Sequence, residues 1–209
     1  MRLMSKSFDE SRPIPAEFAL AKPDARAHFA LSDNRSPHLA WSGAPAGTRS
    51  FALVCVDPDV PSVGDDVNKE GRKVRADLAR VEFVHWVMVD VPPTCSELAA
   101  GACSRGVTPR GKKQPAGPAG SRQGRNDYTG WFAGHAEMSG TYLGYDGPGP
   151  PWNDERLHHY RFELFALDVA RLELPPEFDL AAARHAMAGH VLASASLTGT
   201  YTLNPDLAR

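Results

Sequence analysis

The stretch Phe51-Ala52-Leu53-Val54-Cys55-Val56 is apolar at every position, so it reads as a central strand with both faces covered. A fold that holds it must put packing layers on two sides of one sheet. Around it, 18 glycines and 18 prolines punctuate the chain, and the segments between them are short and rich in Val, Phe, Leu and Tyr. That pattern predicts strands at 50–57, 81–91, 158–167 and 196–203, with shorter ones near 17–20 and 28–31. One short alanine-rich helix is expected over 180–187, with Asp179 as N-cap and Gly189 as stop, and a weaker one over 96–100. The expected class is mainly β.

At 209 residues, 42% hydrophobic and 23% charged, the chain is expected to form one domain over 1–209. A net charge of -2 gives no general attraction to nucleic acid or an anionic membrane, so any anion binding must be local. The first eleven residues are polar and mixed rather than a signal peptide, and no run of 18 apolar residues occurs; the expected location is the cytoplasm. Cys55, Cys95 and Cys103 lack metal-type spacing and are expected as reduced thiols, although Cys95 and Cys103 could pair.

Two insertions interrupt the strand pattern. Residues 63–80 are highly charged with mixed sign. Residues 105–125 carry Arg105, Arg110, Lys112, Lys113, Arg122 and Arg125, with no acidic residue from Leu98 to Asn126, and are studded with glycine and proline. This second segment reads as a mobile basic loop, either merely solvated or a flap that draws anions toward a pocket.

The chemistry-bearing residues lie in three places. Gly144-Tyr145-Asp146-Gly147-Pro148-Gly149-Pro150-Pro151 is a proline-braced glycine loop whose backbone can approach a ligand closely. The strand after it begins Leu157-His158-His159-Tyr160, and alternation sends His158, Tyr160, Phe162 and Leu164 inward and His159, Arg161 and Glu163 outward. The same period places Phe83, His85, Val87 and Val89 on one face of 81–91. Asp57-Pro58-Asp59-Val60-Pro61 leaves the central strand with two acids that need partners.

Such a set suits an anion site or a metal site, and the spacing alone does not choose. No His-x-Glu-x-His, Cys-x-x-Cys, Gly-x-Ser-x-Gly, Walker or dinucleotide element is present, so no metal, cofactor or catalytic nucleophile is expected. A non-enzymatic binding module is the leading expectation. The rival is a hydrolase or lyase that uses His85, His158 and an Asp as acid and base.

These motifs occur in the order seen in phosphatidylethanolamine-binding proteins, and the chain resembles that family over about residues 1–203. The closer likeness is to its bacterial and archaeal Raf-kinase-inhibitor-like branch, which Ser36-Pro37-His38-Leu39-Ala40-Trp41 and the His190–Thr198 segment also resemble. The resemblance implies a two-sheet antiparallel β-sandwich with a few short peripheral helices. It also implies a pocket for phosphate, acetate or a phosphoethanolamine head group, built from Asp57, Asp59, His85, Gly149, Pro150, His158 and Tyr160. A protein partner such as a kinase follows only from the family's name. Pro148, one added residue before His158, and the two insertions depart from the family pattern. With histidine donors, anion binding is expected to weaken above roughly pH 7.

Overall fold

In the computed structural model, residues 1–207 are described. In chain order the strands are β1 (Arg2–Met4), β2 (Arg12–Pro13), β3 (Ala21–Asp24), β4 (His28–Leu31), β5 (Leu39–Ser42), β6 (Ser50–Pro61), β7 (Arg80–Val91), β8 (Glu97–Leu98), β9 (Arg122–Gln123), β10 (His158–Leu167) and β11 (Val191–Tyr201). Among the described residues two α-helices are present, α1 (Tyr128–Trp131) and α2 (Leu180–Met187). Among the described residues no helix is long and apolar enough to cross a membrane.

The main sheet has the order β2-β11-β10-β6-β7-β9, a smaller sheet has the order β1-β5-β8, and β3 and β4 form a hairpin. All pairings are antiparallel except the two-residue contact of β2 with β11. The two sheets enclose a core of Leu3, Leu39, Trp41 and Leu98 from one side against Phe51, Leu53, Cys55, Trp86, Phe162 and Leu164 from the other. On the outer face of the main sheet, α2 and the segment before it bury Ala52, Val54, Val56, Val87 and Val89 under Leu172, Phe178, Leu180 and Met187. Strand β6 therefore lies in the middle of the sheet with apolar contacts on both faces, which its uninterrupted apolar run requires.

Helix α2 starts where its cap dictates. Asp179 has extended backbone, and its carboxylate accepts the Ala182 amide. The segments 17–20 and 96–100 differ from expectation: the first is a 3-10 turn at Ala16–Phe18, and the second holds the short strand β8 on β5. Both are too short for propensity to outweigh the tertiary pairing that recruits them.

The basic segment 105–125 is stitched into the body rather than loose. Lys112 Nζ lies 2.5 Å from the buried Asp146 carboxylate. Arg122 sits on β9, pairs with Asp90 at 2.6 Å, and donates to the Leu172 and Leu174 carbonyls. Gln123 accepts the Trp86 indole N–H at 2.7 Å. With Arg125, which pairs with Asp179 at 3.2 Å, three of its cations are countercharges for acids distant in sequence, and their role is structural.

Candidate functional site

Strand β10 behaves as its alternation predicts. His158, Tyr160, Phe162 and Leu164 are buried, whereas His159 and Arg161 are exposed. Strand β7 does not. Cys55 of β6 faces Trp86, but the next residue, Val56, faces Val84, which leaves His85 as the extra residue of a β-bulge. A bulge re-aims the side chain it carries. Val84, Val87 and Val89 turn toward α2, while His85 joins the Trp86 side and packs edge-on against Tyr160, with ring centroids 5.0 Å apart. His85 is inward as expected, but on the face opposite Val87 and Val89.

A cavity of about 180 Å³ opens at the ends of these strands. Asp57, His85, His158 and Tyr160 supply its polar wall, and Gly149, Pro150 and Pro151 supply loop backbone and proline rings. Phe83, Tyr128, Trp131, Val60 and Val67 make the remainder largely apolar. Six of the seven residues expected at the site meet there.

Asp59 does not. Its backbone lies in a second irregularity, where β6 jumps from the Asp57–Phe83 pair to the Val60–Val81 pair. Its carboxylate turns outward to accept the His159 Nδ1–H at 2.8 Å, the His159 amide and the Arg156 guanidinium. The two acids, spaced as strand neighbours on one face, are separated by this bulge.

His158 is held from both sides. Its Nδ1–H donates to Asp57 at 2.6 Å and its Nε2–H to Asp154 at 3.1 Å. Arg80, also buried, grips Asp154 through two guanidinium nitrogens at 2.6 and 3.0 Å. Burial alone would lower the His158 pKa, but the hydrogen bonds and charges of Asp154 and Asp57 overrule it and push it up to about 9. Burial would likewise raise Asp154, yet the His158, Arg80 and Arg156 hydrogen bonds hold it below its ordinary value. Two carboxylates and two cations thus balance in the wall. His158 is an imidazolium with no N–H left for a ligand.

His85 is the opposite case. Its Nδ1–H donates to the Asp146 carbonyl at 2.8 Å, which leaves Nε2 as the bare nitrogen of a neutral ring. Burial, the largest influence, lowers its pKa below the ordinary 6.5 against the raising effect of Asp57. Tyr160 completes the polar wall with a buried hydroxyl that makes no hydrogen bond of normal geometry, although the Asp57 carboxylate is near enough to act on it. Burial, and next the charge of Asp57, push its phenol well above its ordinary value, so it is a donor at every physiological pH.

The glycine loop is positioned by a buried network that sequence reading missed. The Asp146 carboxylate accepts Asn34 at 2.7 Å, Asn126 at 2.9 Å and Lys112 at 2.5 Å. Asn34 returns its side-chain oxygen to the Gly147 amide, and Tyr128 donates to the Gly147 carbonyl. A Cβ on Gly147 would lie 2.1 Å from the Phe18 carbonyl oxygen, so only glycine fits there. Asp154 and Arg80, the other unforeseen members, carry no local sequence signal, since they meet only across 74 residues.

The model of the family described as phosphatidylethanolamine-binding protein matches residues 4–202. A UPF0098 protein of Methanothermobacter thermautotrophicus is 33% identical over 201 residues, which is 96% of this chain and 98% of the relative. Two solved structures align over nearly their whole lengths. YbcL of Escherichia coli, a member of this family, has a TM-score of 0.67 at 25% identity, covering 96% of this chain and 97% of its own. A phosphatidylethanolamine-binding protein homologue of Chlamydia trachomatis has a TM-score of 0.64 at 28% identity, covering 96% and 95%. With a family match across almost the entire length, relatives of matching extent and the same two-sheet sandwich, the chain belongs to the phosphatidylethanolamine-binding protein family.

Proposed function

We propose that this protein binds small molecules bearing an oxyanion head, a phosphate or carboxylate, in the cavity between His85 and Tyr160. The observation that carries this reading is the buried, unpartnered Tyr160 hydroxyl at the cavity wall. Leaving such a donor unsatisfied costs about 1–3 kcal/mol, which a ligand oxygen recovers. His85 offers a second contact through Nε2, accepting a proton from an acid or donating once protonated. The largely apolar surroundings exclude water and strengthen both contacts.

The rival reading is hydrolysis or elimination with His85, His158 and an Asp as acid and base; His85, neutral with a free Nε2, could accept a proton, but the part given to His158 has less support. Both nitrogens of His158 are committed to carboxylates, and the ring stays protonated to about pH 9. A protonated, fully bonded imidazole is a poor proton acceptor.

Calorimetric titration with phosphate and acetate tests the proposal. Tyr160→Phe is expected to weaken phosphate binding at least tenfold, the equivalent of about 1.5 kcal/mol for a hydrogen bond to a charged group. Its stability should be unchanged or slightly higher, because the lost hydroxyl was unpaired. Unaltered affinity in this variant would remove Tyr160 from the site.

The pH dependence follows from His85 rather than His158, which moves the expected window downward. Sulfate brings no titrating proton, so its binding requires His85 to be charged. Above pH 6.5 the free ring is neutral, and sulfate affinity should fall by up to about tenfold per pH unit, the slope of one linked proton. Monoanionic phosphate can donate its own proton to Nε2 and should lose affinity at higher pH. Sulfate affinity independent of pH between 5 and 8 would show that His85 does not contact the anion.

A further inference from the structure

The segment 62–79 joins β6 to β7 with no strand or helix of its own, and no residue from Ser62 to Lys73 is buried. A connection this long, with no core beneath it, holds one shape only if it is fastened from outside. Its place matters, because Gly64 and Val67 stand in the wall of the anion cavity with Pro150, Pro151 and Tyr160.

The fastening is one buried side chain. Asn153, 6% exposed, accepts the Asn68 amide through Oδ1 at 3.0 Å. Its Nδ2 donates to the Asp66 carbonyl at 2.8 Å and the Arg72 carbonyl at 3.0 Å, with the Lys69 carbonyl at 3.3 Å. Asn68 closes the clasp from the other side. Its side-chain oxygen accepts the Trp152 amide at 3.0 Å, from a left-handed backbone (φ 55°) that asparagine tolerates. Only a carboxamide brings an acceptor and two donors on one group; a carboxylate there would set an oxygen against three carbonyls. Among the described residues, the other polar tie of 66–72 to the body is the Glu70–His28 pair, which is exposed and therefore weak.

Asn153 itself does not line the cavity, but it follows Pro150, Pro151 and Trp152 directly. The clasp thus ties the charged insertion to the same loop that forms the opposite part of the ligand site. We infer that Asn153 is a positioning residue that sets the size of the oxyanion the cavity accepts, by holding Gly64 and Val67 in its wall. Released from Asn153, the insertion withdraws and the site admits bulkier heads. The inference rests on the anion-pocket reading and adds to it a determinant of size selectivity.

Calorimetry with acetate and benzoate, a compact and a bulky carboxylate, tests it. Val67→Phe enlarges a wall residue and should weaken benzoate binding about tenfold or more while changing acetate by no more than about twofold. Asn153→Ala alone should raise the benzoate-to-acetate affinity ratio about threefold or more. In the double variant the benzoate penalty of Val67→Phe should shrink below about twofold, because the enlarged side chain is no longer held in the cavity. An Asn153 with a merely structural role would lower both affinities in proportion and leave the Val67→Phe penalty whole, and that result overturns the inference. A benzoate-to-acetate ratio unmoved by Val67→Phe in the native background also overturns it, since the insertion is then no wall. Asn68→Gly keeps the left-handed turn and loses the bond to Trp152, so it carries the same cycle with the same expectations if Asn153→Ala does not fold. Both overturning results leave the anion pocket standing as long as acetate binds. Failure of acetate to bind the native protein counts against the pocket reading, and against this one with it.

Discussion

Replacing His158 by alanine is expected to cost the fold about 3–5 kcal/mol near neutral pH and to remove a pH dependence that the native protein shows on its alkaline side. The ring is fully buried between the Asp57 and Asp154 carboxylates. Arg80 remains to compensate Asp154, but Asp57 is left as a buried acid without its cation. Breaking a buried ion pair from one side is costly for that reason.

The pH dependence has a definite sign. The native His158 pKa is about 9, above the unfolded value of 6.5, so the folded state holds the proton more tightly. Its contribution is complete below pH 6.5, declines as pH rises from there, and is gone above about 9. The shift corresponds to about 3 kcal/mol at 1.36 kcal/mol per pH unit. Urea denaturation at pH 6 and pH 9.5 measures it directly. The native protein should lose most of this increment between the two, and His158→Ala should not. If both proteins decline in parallel, the buried imidazolium is not what links stability to pH.

Asp146→Asn should damage both stability and binding, through the loop rather than through ligand contact. The substitution replaces one carboxylate oxygen by an amide NH₂, which opposes the Asn126 donor if the remaining oxygen stays with Asn34 and Lys112, and it removes the carboxylate charge paired with a nearly buried ammonium. A loss of about 3 kcal/mol or more is expected from the unpaired charge and the donor–donor opposition. Asp146 also supplies the carbonyl that fixes the His85 tautomer, and the next residue begins the glycine turn at the cavity. Phosphate affinity should therefore fall with stability. Lys112→Met added to Asp146→Asn should recover part of the stability, because the orphaned ammonium is gone. If the double variant is less stable than the single by the full cost of Lys112→Met alone, the two residues are not coupled.

Lys112 illustrates why some of this protein was hidden in its sequence. Read locally, residues 105–125 form a run of cations among glycines and prolines, the usual composition of a solvated loop. The partners Asp90, Asp146 and Asp179 lie on β7, in the glycine loop and at the N-cap of α2, so only tertiary structure converts three of these charges into fasteners. Asp154 and Arg80 are similar. Neither sits in a motif, and each matters only because the other, and His158, arrive at the same place.

The sequence by itself determined the elements with a local cause. An uninterrupted apolar run made β6 a two-faced central strand, period-two alternation turned His158 and Tyr160 inward and His159 outward, and Asp179 capped α2. Only the tertiary structure decided where the bulges fall, because a bulge is a mismatch between two strands and belongs to neither alone. One bulge swung His85 to the Tyr160 side of the sheet, and another carried Asp59 away from Asp57. The same pairing across the fold spent both nitrogens of His158 on carboxylates and left Tyr160 and His85 as the groups free to meet a ligand. Alternation is written in one strand, whereas register and charge pairing exist only between segments that folding has brought together.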